Sequence, residues 1–165
     1  MARSKHLRAF DYVNRPYERV RDALLDDPEE IFRVATRAAA SRAYDVASAL
    51  HVEVGGIEIG AEIDLTVGKI QETGGLRSSS ATTRVSVEWE AAKHPRLFPE
   101  MKGELAVYAL TDRETQLDFQ GAYTPPLGAV GSAIDKVVGH RIAEASIHRF
   151  ITDVTDYLRR NLADE

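Results

Sequence analysis

The sequence predicts an α+β fold in which a curved antiparallel sheet of about six strands wraps around one long C-terminal helix, with two short helices after the first strand. Three observations predict this arrangement. Apolar and polar residues alternate in several consecutive segments, the turns between these segments are short, and the last helical segment is the longest. A sheet with one apolar face must cover that face, and only the last helix is long enough to do so.

Composition restricts the class of protein before any motif is considered. The chain has 165 residues, no cysteine and a formal net charge of -5. We therefore expect a single domain over residues 1–165, without disulfides, thiolate nucleophiles or zinc ribbons. The acidic balance argues against nucleic acid as a partner. No apolar run approaches the roughly 18 residues of a membrane helix, and no signal-peptide core follows the basic start, so we expect a cytoplasmic protein.

The first third of the chain predicts one strand and two helices. Leu7–Val13 has strand character and ends before Pro16, which fits the first turn of a helix. A short helix is predicted over Tyr17–Leu25. Carboxylates then mark the start of a second helix, because the amide dipoles at a helix N-terminus stabilise negative charge. This helix is predicted over Pro28–Ala40.

The middle of the chain predicts five further strands, because apolar residues there recur with a period of two. Gly55-Gly56 is predicted to form a two-residue hairpin between the first two of them. Short turns between the later strands predict an antiparallel meander. The five predicted strands are Tyr44–Val54, Ile57–Val67, Thr83–Ala91, Lys102–Leu110 and Thr115–Tyr123.

The last predicted element is a long helix over about Leu127–Leu162, which follows the strand-ending Pro125-Pro126. Its apolar residues form two stripes that point in different directions. The helix is therefore predicted either to bend near Gly139 or to pack its two halves on different surfaces.

This element order, together with one local stretch, resembles the START-like (SRPBCC) helix-grip superfamily, and within it the small actinobacterial polyketide cyclase/dehydrase-like proteins. The resemblance implies a cavity between the sheet and the last helix. The superfamily holds both enzymes and pure binders, so it does not choose between them. Plant members have a longer glycine-rich loop where this chain has only Gly55-Gly56. The local likeness is carried by residues 121–128 (GAYTPPLG), Gly131, Asp135, His140-Arg141, 143–145 (AEA) and Phe150.

Six residues are candidates to line that cavity. Aromatic side chains suit a site for an apolar ligand, a histidine can act as acid or base, and an arginine can hold an oxyanion. The alternative is that the rings only fill the core, the histidine bonds a loop carbonyl and the arginine pairs at the surface. The predicted ligand-binding residues are Trp89, Tyr108, Phe119, Tyr123, His140 and Arg141, of which His140, Arg141 and Tyr123 are also the catalytic candidates.

His140, Glu144 and His148 recur at four-residue steps, a spacing that would bring pairs of metal ligands together. Each helical turn rises about 5.4 Å, so three such residues on a straight helix do not reach one ion. We therefore predict no metal site. No glycine-rich strand-to-helix turn of the dinucleotide or P-loop type occurs, so we also predict no cofactor.

Three functions remain open at this point. The first is binding of a small, largely apolar molecule, lipid-like or polyketide-like, between the sheet and the C-terminal helix. The second is a cyclase or dehydratase acting on a polyketide-like substrate. The third is a stress or chaperone-regulating interaction module that works through an exposed apolar patch. An exposed edge strand would also allow a homodimer, although nothing in the sequence requires one.

Overall fold

The computed structural model describes residues 5–49, 63–74, 81–91, 100–124 and 136–162. Within these ranges no helix is long and apolar enough to cross a membrane. The elements are β1 (Lys5–Val13), α1 (Tyr17–Asp26), α2 (Pro28–Ala49), β2 (Ile63–Thr73), β3 (Thr82–Ala91), β4 (Glu100–Thr111), β5 (Glu114–Thr124) and α3 (Lys136–Asn161).

The five strands form one curved antiparallel sheet in the order β1-β5-β4-β3-β2. The first strand therefore pairs with the last, and β1 and β2 are the two outer strands among the described residues. The register of β2 against β3 shifts between Val67 and Ile70. Such a bulge bends and twists a strand locally.

The face of the sheet that α2 and α3 cover is called the inner face below, and the opposite face is the outer face. Strand alternation places an apolar row of each strand on the inner face, as the sequence predicts. The stripe in the second half of α3 meets this face and α2. It consists of Ile147, Phe150, Ile151, Val154 and Leu158, each with at most 1% of its surface exposed.

Two glycines on the inner face make room for one aromatic ring. A Cβ on Gly103 would lie 2.2 Å from Cζ of Phe119, and a Cβ on Gly121 would lie 2.9 Å from Sδ of Met101 and 3.0 Å from Cε1 of Phe119. Any side chain there would overlap the packed atoms. The Phe119 ring therefore packs against Gly103 of the neighbouring strand and Gly121 of its own strand, in space that a side chain at either position would fill.

The C-terminal part of α3 is held to β1 by polar contacts. The Thr155 hydroxyl donates to Oδ2 of Asp11 at 2.7 Å, and Arg159 donates to the carbonyl oxygen of Tyr12 at 2.6 Å. The Arg15 guanidinium donates to the carbonyl of Leu162 at 3.1 Å. These bonds satisfy backbone groups at the helix end and at the strand edge, and they fix the helix relative to the first strand.

The predicted fold class is confirmed, and the bounds of β1, α1, β3, β4 and β5 agree with the predictions to within two residues. The prediction of a strand from Tyr44 was wrong for Tyr44–Ala49, which continues α2. Six alanines between residues 38 and 49 favour helix over the short period-two pattern. The rest of that strand, the Gly55-Gly56 hairpin and residues 127–135 of the predicted last helix lie outside the described residues. The described sheet therefore has five strands where about six were predicted.

Candidate ligand-binding site

Tyr123 lies near the end of β5 on the inner face, opposite Met101 of β4 and Lys5 of β1. Its side chain is almost entirely buried, with 1% of the residue exposed. Alternation along β5 puts it in the same row as Leu117 and Phe119, which are also buried. The sheet thus brings the phenol hydroxyl of Tyr123 to one end of a buried row of β5.

The partner of this hydroxyl is His140, in the first part of α3. The Tyr123 oxygen lies 3.3 Å from Nδ1 of His140, and the two ring centroids are 6.1 Å apart. The His140 side chain remains 42% exposed. The pair therefore joins a buried hydroxyl to a group that can exchange protons with water.

The far side of His140 faces a carboxylate. Nε2 of His140 lies 3.8 Å from Oε2 of Glu144, and Nε2 of His148 lies 4.0 Å from Oε1 of the same residue. Glu144 thus stands between two imidazoles on one face of α3, as the four-residue spacing predicts. The order from inside to outside is Tyr123, His140, Glu144.

Burial raises the pKa of Tyr123 above its ordinary value of 10.0. The hydroxyl consequently stays protonated at neutral pH and can donate a hydrogen bond to an acceptor on a bound molecule. When His140 is neutral with its proton on Nε2, Nδ1 accepts from Tyr123; when His140 is protonated, Nδ1 donates to the phenol oxygen. The pair can therefore present either a donor or an acceptor at the inner face.

An aromatic cluster fills the neighbouring space between the sheet and the helices. Phe150 of α3 lies 4.9 Å from Trp89 and 5.3 Å from Phe119, measured between ring centroids. Phe32 of α2 stacks on Phe150 at 5.9 Å. All four rings are buried. Trp89 and Phe119 accordingly both contact Phe150 of α3.

The six predicted ligand-binding residues are not all brought together. Trp89, Phe119, Tyr123 and His140 lie between the sheet and the helices, but Arg141 is exposed on α3. Tyr108 lies on the outer face, where its hydroxyl accepts a bond from Nε2 of Gln116 at 2.8 Å.

The placement of Tyr108 has a simple physical reason. Both faces of its strand are apolar in sequence, so alternation alone could not orient it. In the structure, Leu105 and Val107 of the same strand are fully buried and point to the inner face. Tyr108 follows Val107 directly and therefore points to the outer face. A role for Tyr108 in a site beneath the sheet is therefore inconsistent with its position.

His140, Glu144 and His148 form a stripe along one face of α3. Within the described ranges, no group of three or more histidine or acidic side chains is placed to hold a metal ion. The three side chains run along the helix surface and are 42%, 52% and 56% exposed.

A separate groove of about 650 Å³ crosses the outer face of the sheet. Its charged side chains include Arg8, which pairs with Asp118, and Glu104, which pairs with Arg84. It lies on the opposite side of the sheet from Tyr123 and is not the predicted cavity. Its lining comprises His6, Leu7, Arg8, Ser86, Glu88, Lys102, Gly103, Glu104, Gln120, Gly121 and Ala122.

Sequence reasoning did not assign three residues that shape the inner face. Phe32 and Met101 pack beside the candidate site, and the Tyr17 hydroxyl pairs with Oγ1 of Thr83 at 2.6 Å. The signal for the last contact was present, because Thr83 is a polar residue in the apolar phase of its strand. Such a residue requires a hydrogen-bond partner once buried.

The described elements form a helix-grip arrangement: β1 pairs with β5 in one antiparallel sheet, two helices follow β1, and the last helix lies across the inner face. This assignment rests on the chain's own topology. No protein-family model matches the chain, and no curated protein matches it.

Solved structures of similar arrangement include those of three proteins from different organisms. A conserved protein from Geobacillus kaustophilus is 14% identical, with a TM-score of 0.47 over 94% of this chain and 96% of that one. The Zhui aromatase/cyclase from Streptomyces sp. R1128 is 12% identical, with a TM-score of 0.43 over 96% and 95%. Norcoclaurine synthase from Thalictrum flavum, solved with dopamine and hydroxybenzaldehyde, is 8% identical, with a TM-score of 0.44 over 99% and 91%.

Proposed function

We propose that this protein binds a small, largely apolar molecule between the inner face of the sheet and α3, with a polar group of the molecule directed at the Tyr123 hydroxyl. The observation that carries the proposal is the pairing of the buried Tyr123 with the half-exposed His140 at 3.3 Å. A binding site of this type combines apolar walls with a few fixed polar groups that orient the ligand.

The surroundings of Tyr123 support an apolar ligand. Met101 lies opposite it in the sheet, and Trp89 lies opposite Met101 on the next strand. Both side chains are buried and uncharged. A ligand in contact with them would gain from removal of apolar surface from water, while a carbonyl or hydroxyl on the ligand would take the Tyr123 hydrogen bond.

The single tryptophan of the chain provides a direct test. Trp89 is excited selectively while the apolar fluorescent ketone Prodan is titrated in. Binding beside Tyr123 predicts saturable energy transfer from Trp89 to the probe. Tyr123→Phe removes the donor to the probe's carbonyl and is expected to weaken binding several-fold, since one such bond contributes about 1 kcal/mol.

Tyr108→Phe is the matched control, because it removes the hydroxyl of another sheet tyrosine on the outer face. Its affinity for Prodan is expected to equal that of the unmodified protein. Absence of saturable transfer, or an equal loss in both variants, would contradict the proposal. Native mass spectrometry of protein purified gently from its own host then tests which molecule it carries.

An enzymatic function of the cyclase or dehydratase type is the second candidate, and one observation favours it. Tyr123, His140 and Glu144 stand in sequence from the buried face to solvent, so a proton on the phenol has a route to water. Tyr123 would donate a hydrogen bond to the substrate carbonyl. His140, as base, would take the α-proton to give the enolate and return it to the β-hydroxyl, which leaves as water. Arg141 is exposed and is left out of this proposal.

The enzymatic proposal is tested with a β-hydroxyketone surrogate, whose dehydration gives a conjugated enone with ultraviolet absorbance. Tyr123→Phe and His140→Asn are expected to reduce the rate to that of buffer, and Arg141→Ala is expected to leave it unchanged. If the unmodified protein binds Prodan but does not accelerate dehydration of the surrogate, binding without this chemistry is favoured.

A further inference from the structure

β1 is an edge strand of the described sheet. β1 pairs with β5 on one side, and in the part of the chain that the structure describes no strand pairs with its other side. An edge strand presents backbone N–H and C=O groups that can pair with another chain.

Contacts of Tyr12 show which backbone groups point outward. Its N–H donates to Oδ1 of Asp11 at 2.8 Å, and its carbonyl accepts from Arg159 at 2.6 Å, so these groups are not directed at β5. Residues of an antiparallel pair alternate between bonded and non-bonded positions. The backbone groups of Phe10, Arg8 and His6 consequently point to the same open edge as those of Tyr12.

Arg159 covers one end of this outer edge, and no described strand pairs with the rest of it. Arg159 covers the carbonyl of Tyr12, which stops strand addition there. Toward the N-terminal side, Phe10 is 64% exposed, an unusual position for a large apolar side chain on an edge strand. The open stretch is therefore centred on Arg8, Ala9 and Phe10.

Arg8 is held flat on the outer face and does not block this edge. Its guanidinium makes a bidentate pair with Asp118 at 3.0 and 2.6 Å and lies 6.0 Å from the centre of the Phe10 ring. Pairing with Asp118 also neutralises its charge. Two copies of β1 can therefore approach without repulsion between their arginines.

We infer that β1 pairs antiparallel with β1 of a second copy of this chain, about a two-fold axis at Ala9. This register places Arg8 opposite Phe10 of the partner subunit in both directions, so that each exposed ring gains a second guanidinium. It also places Ala9 against its own copy at the narrow, non-bonded position, where small side chains fit. The two sheets become one continuous ten-stranded sheet in the described residues.

The complementarity of this edge with itself selects a second copy over an unrelated strand. Arg8, whose charge is neutralised by Asp118, lies on one side of the axis, and the exposed ring of Phe10 lies on the other. A two-fold rotation brings the Arg8 of each copy opposite the Phe10 of the other. The paired stretch is short, because Arg159 ends it at Tyr12. We therefore expect a reversible dimer whose population depends on protein concentration.

Sedimentation equilibrium over a wide range of concentration tests the inference. The unmodified chain is expected to show a monomer–dimer equilibrium, and Phe10→Lys is expected to weaken the dimer at least tenfold. Leu110→Lys is the matched control, because Leu110 is a second exposed apolar residue located on β4, and it is expected to leave the equilibrium unchanged. Circular dichroism verifies that both variants are folded.

The register has its own test, because the chain has no cysteine. Ala9→Cys places two thiols at a cross-strand position whose Cα separation of about 4.5 Å permits a disulfide. Oxidation is expected to give a covalent dimer with Ala9→Cys and only monomer with Leu110→Cys. A chain that is monomeric at every concentration, or a dimer that neither Phe10→Lys weakens nor Ala9→Cys cross-links, would overturn the inference.

Discussion

The hydroxyl of Tyr123 lies 3.3 Å from Nδ1 of His140 and joins the last strand to the last helix at the edge of the apolar core. One partner is buried and the other is 42% exposed. This single contact makes Tyr123 both a structural residue and the polar end of the proposed binding site.

The first prediction concerns stability at alkaline pH. Burial raises the pKa of Tyr123, so the neutral phenol is favoured in the folded state. The corresponding stabilisation is complete below the unfolded-state pKa of about 10 and is lost as pH rises through the higher folded-state pKa. The free energy of unfolding by urea should therefore fall more steeply above pH ~10 in the unmodified protein than in Tyr123→Phe. Equal slopes would show that Tyr123 ionises as freely as in the unfolded chain.

The second prediction concerns the glycine beneath Phe119. Gly103→Ala would place a Cβ 2.2 Å from Cζ of Phe119 and is expected to destabilise the fold by about 1–3 kcal/mol in denaturant unfolding. Gly68→Ala is the control, since its Cβ would lie 3.3 Å from Cβ of Ser86 at an exposed position.

The cause is tested by a second substitution. Phe119→Leu removes the ring atoms that the new Cβ would meet, so Gly103→Ala should cost less in that background than in the unmodified chain. Costs that simply add would mean that Phe119 is not the obstacle.

The third prediction concerns the buried hydrogen bond between Tyr17 and Thr83, whose oxygens are 2.6 Å apart. Tyr17→Phe and Thr83→Val each leave one buried polar group without this partner, at a cost of about 1–3 kcal/mol. The double variant should lose less than the sum of the two, with a coupling energy of about 1 kcal/mol. A double-mutant cycle of urea unfolding measures it, and a coupling of zero would exclude this bond from the stability of the fold.

The fourth prediction compares two ion pairs on the outer face. The Asp118 side chain is only 6% exposed, whereas Glu104 is 43% exposed. Arg8→Ala leaves a buried carboxylate without its bidentate partner, and Arg84→Ala leaves a carboxylate that water can solvate. The thermal unfolding midpoint should fall more with Arg8→Ala than with Arg84→Ala. A larger fall with Arg84→Ala would contradict this comparison.

Most of the strand positions could be predicted because side-chain alternation follows directly from strand geometry. Alternation along the predicted strand Thr115–Tyr123 puts Leu117, Phe119 and Tyr123 on one side, and all three lie on the inner face. The same reasoning could not orient Tyr108, because both phases of its strand are apolar. Only pairing with the neighbouring strands shows that Tyr108 faces outward beside Gln116.

At the C-terminal end of α2, the local sequence has both helix and strand preferences. Tyr44–Ala49 alternates well enough to predict a strand, yet it continues the helix that begins at Pro28. Alanines along this segment favour the helix, and short period-two runs do not distinguish the two conformations.

The candidate site likewise combines features that the sequence predicts with features that only the folded structure shows. The sequence by itself determined the fold class, the apolar phase that buries Tyr123 and the helical spacing that brings His140 to Glu144, because these depend on local geometry. The tertiary structure decided that Tyr123 meets His140, that Arg141 stays in solvent and that Phe150 fills the space beside Trp89. Those distances depend on how α3 is docked across the sheet, and docking is set by packing among residues far apart in the chain.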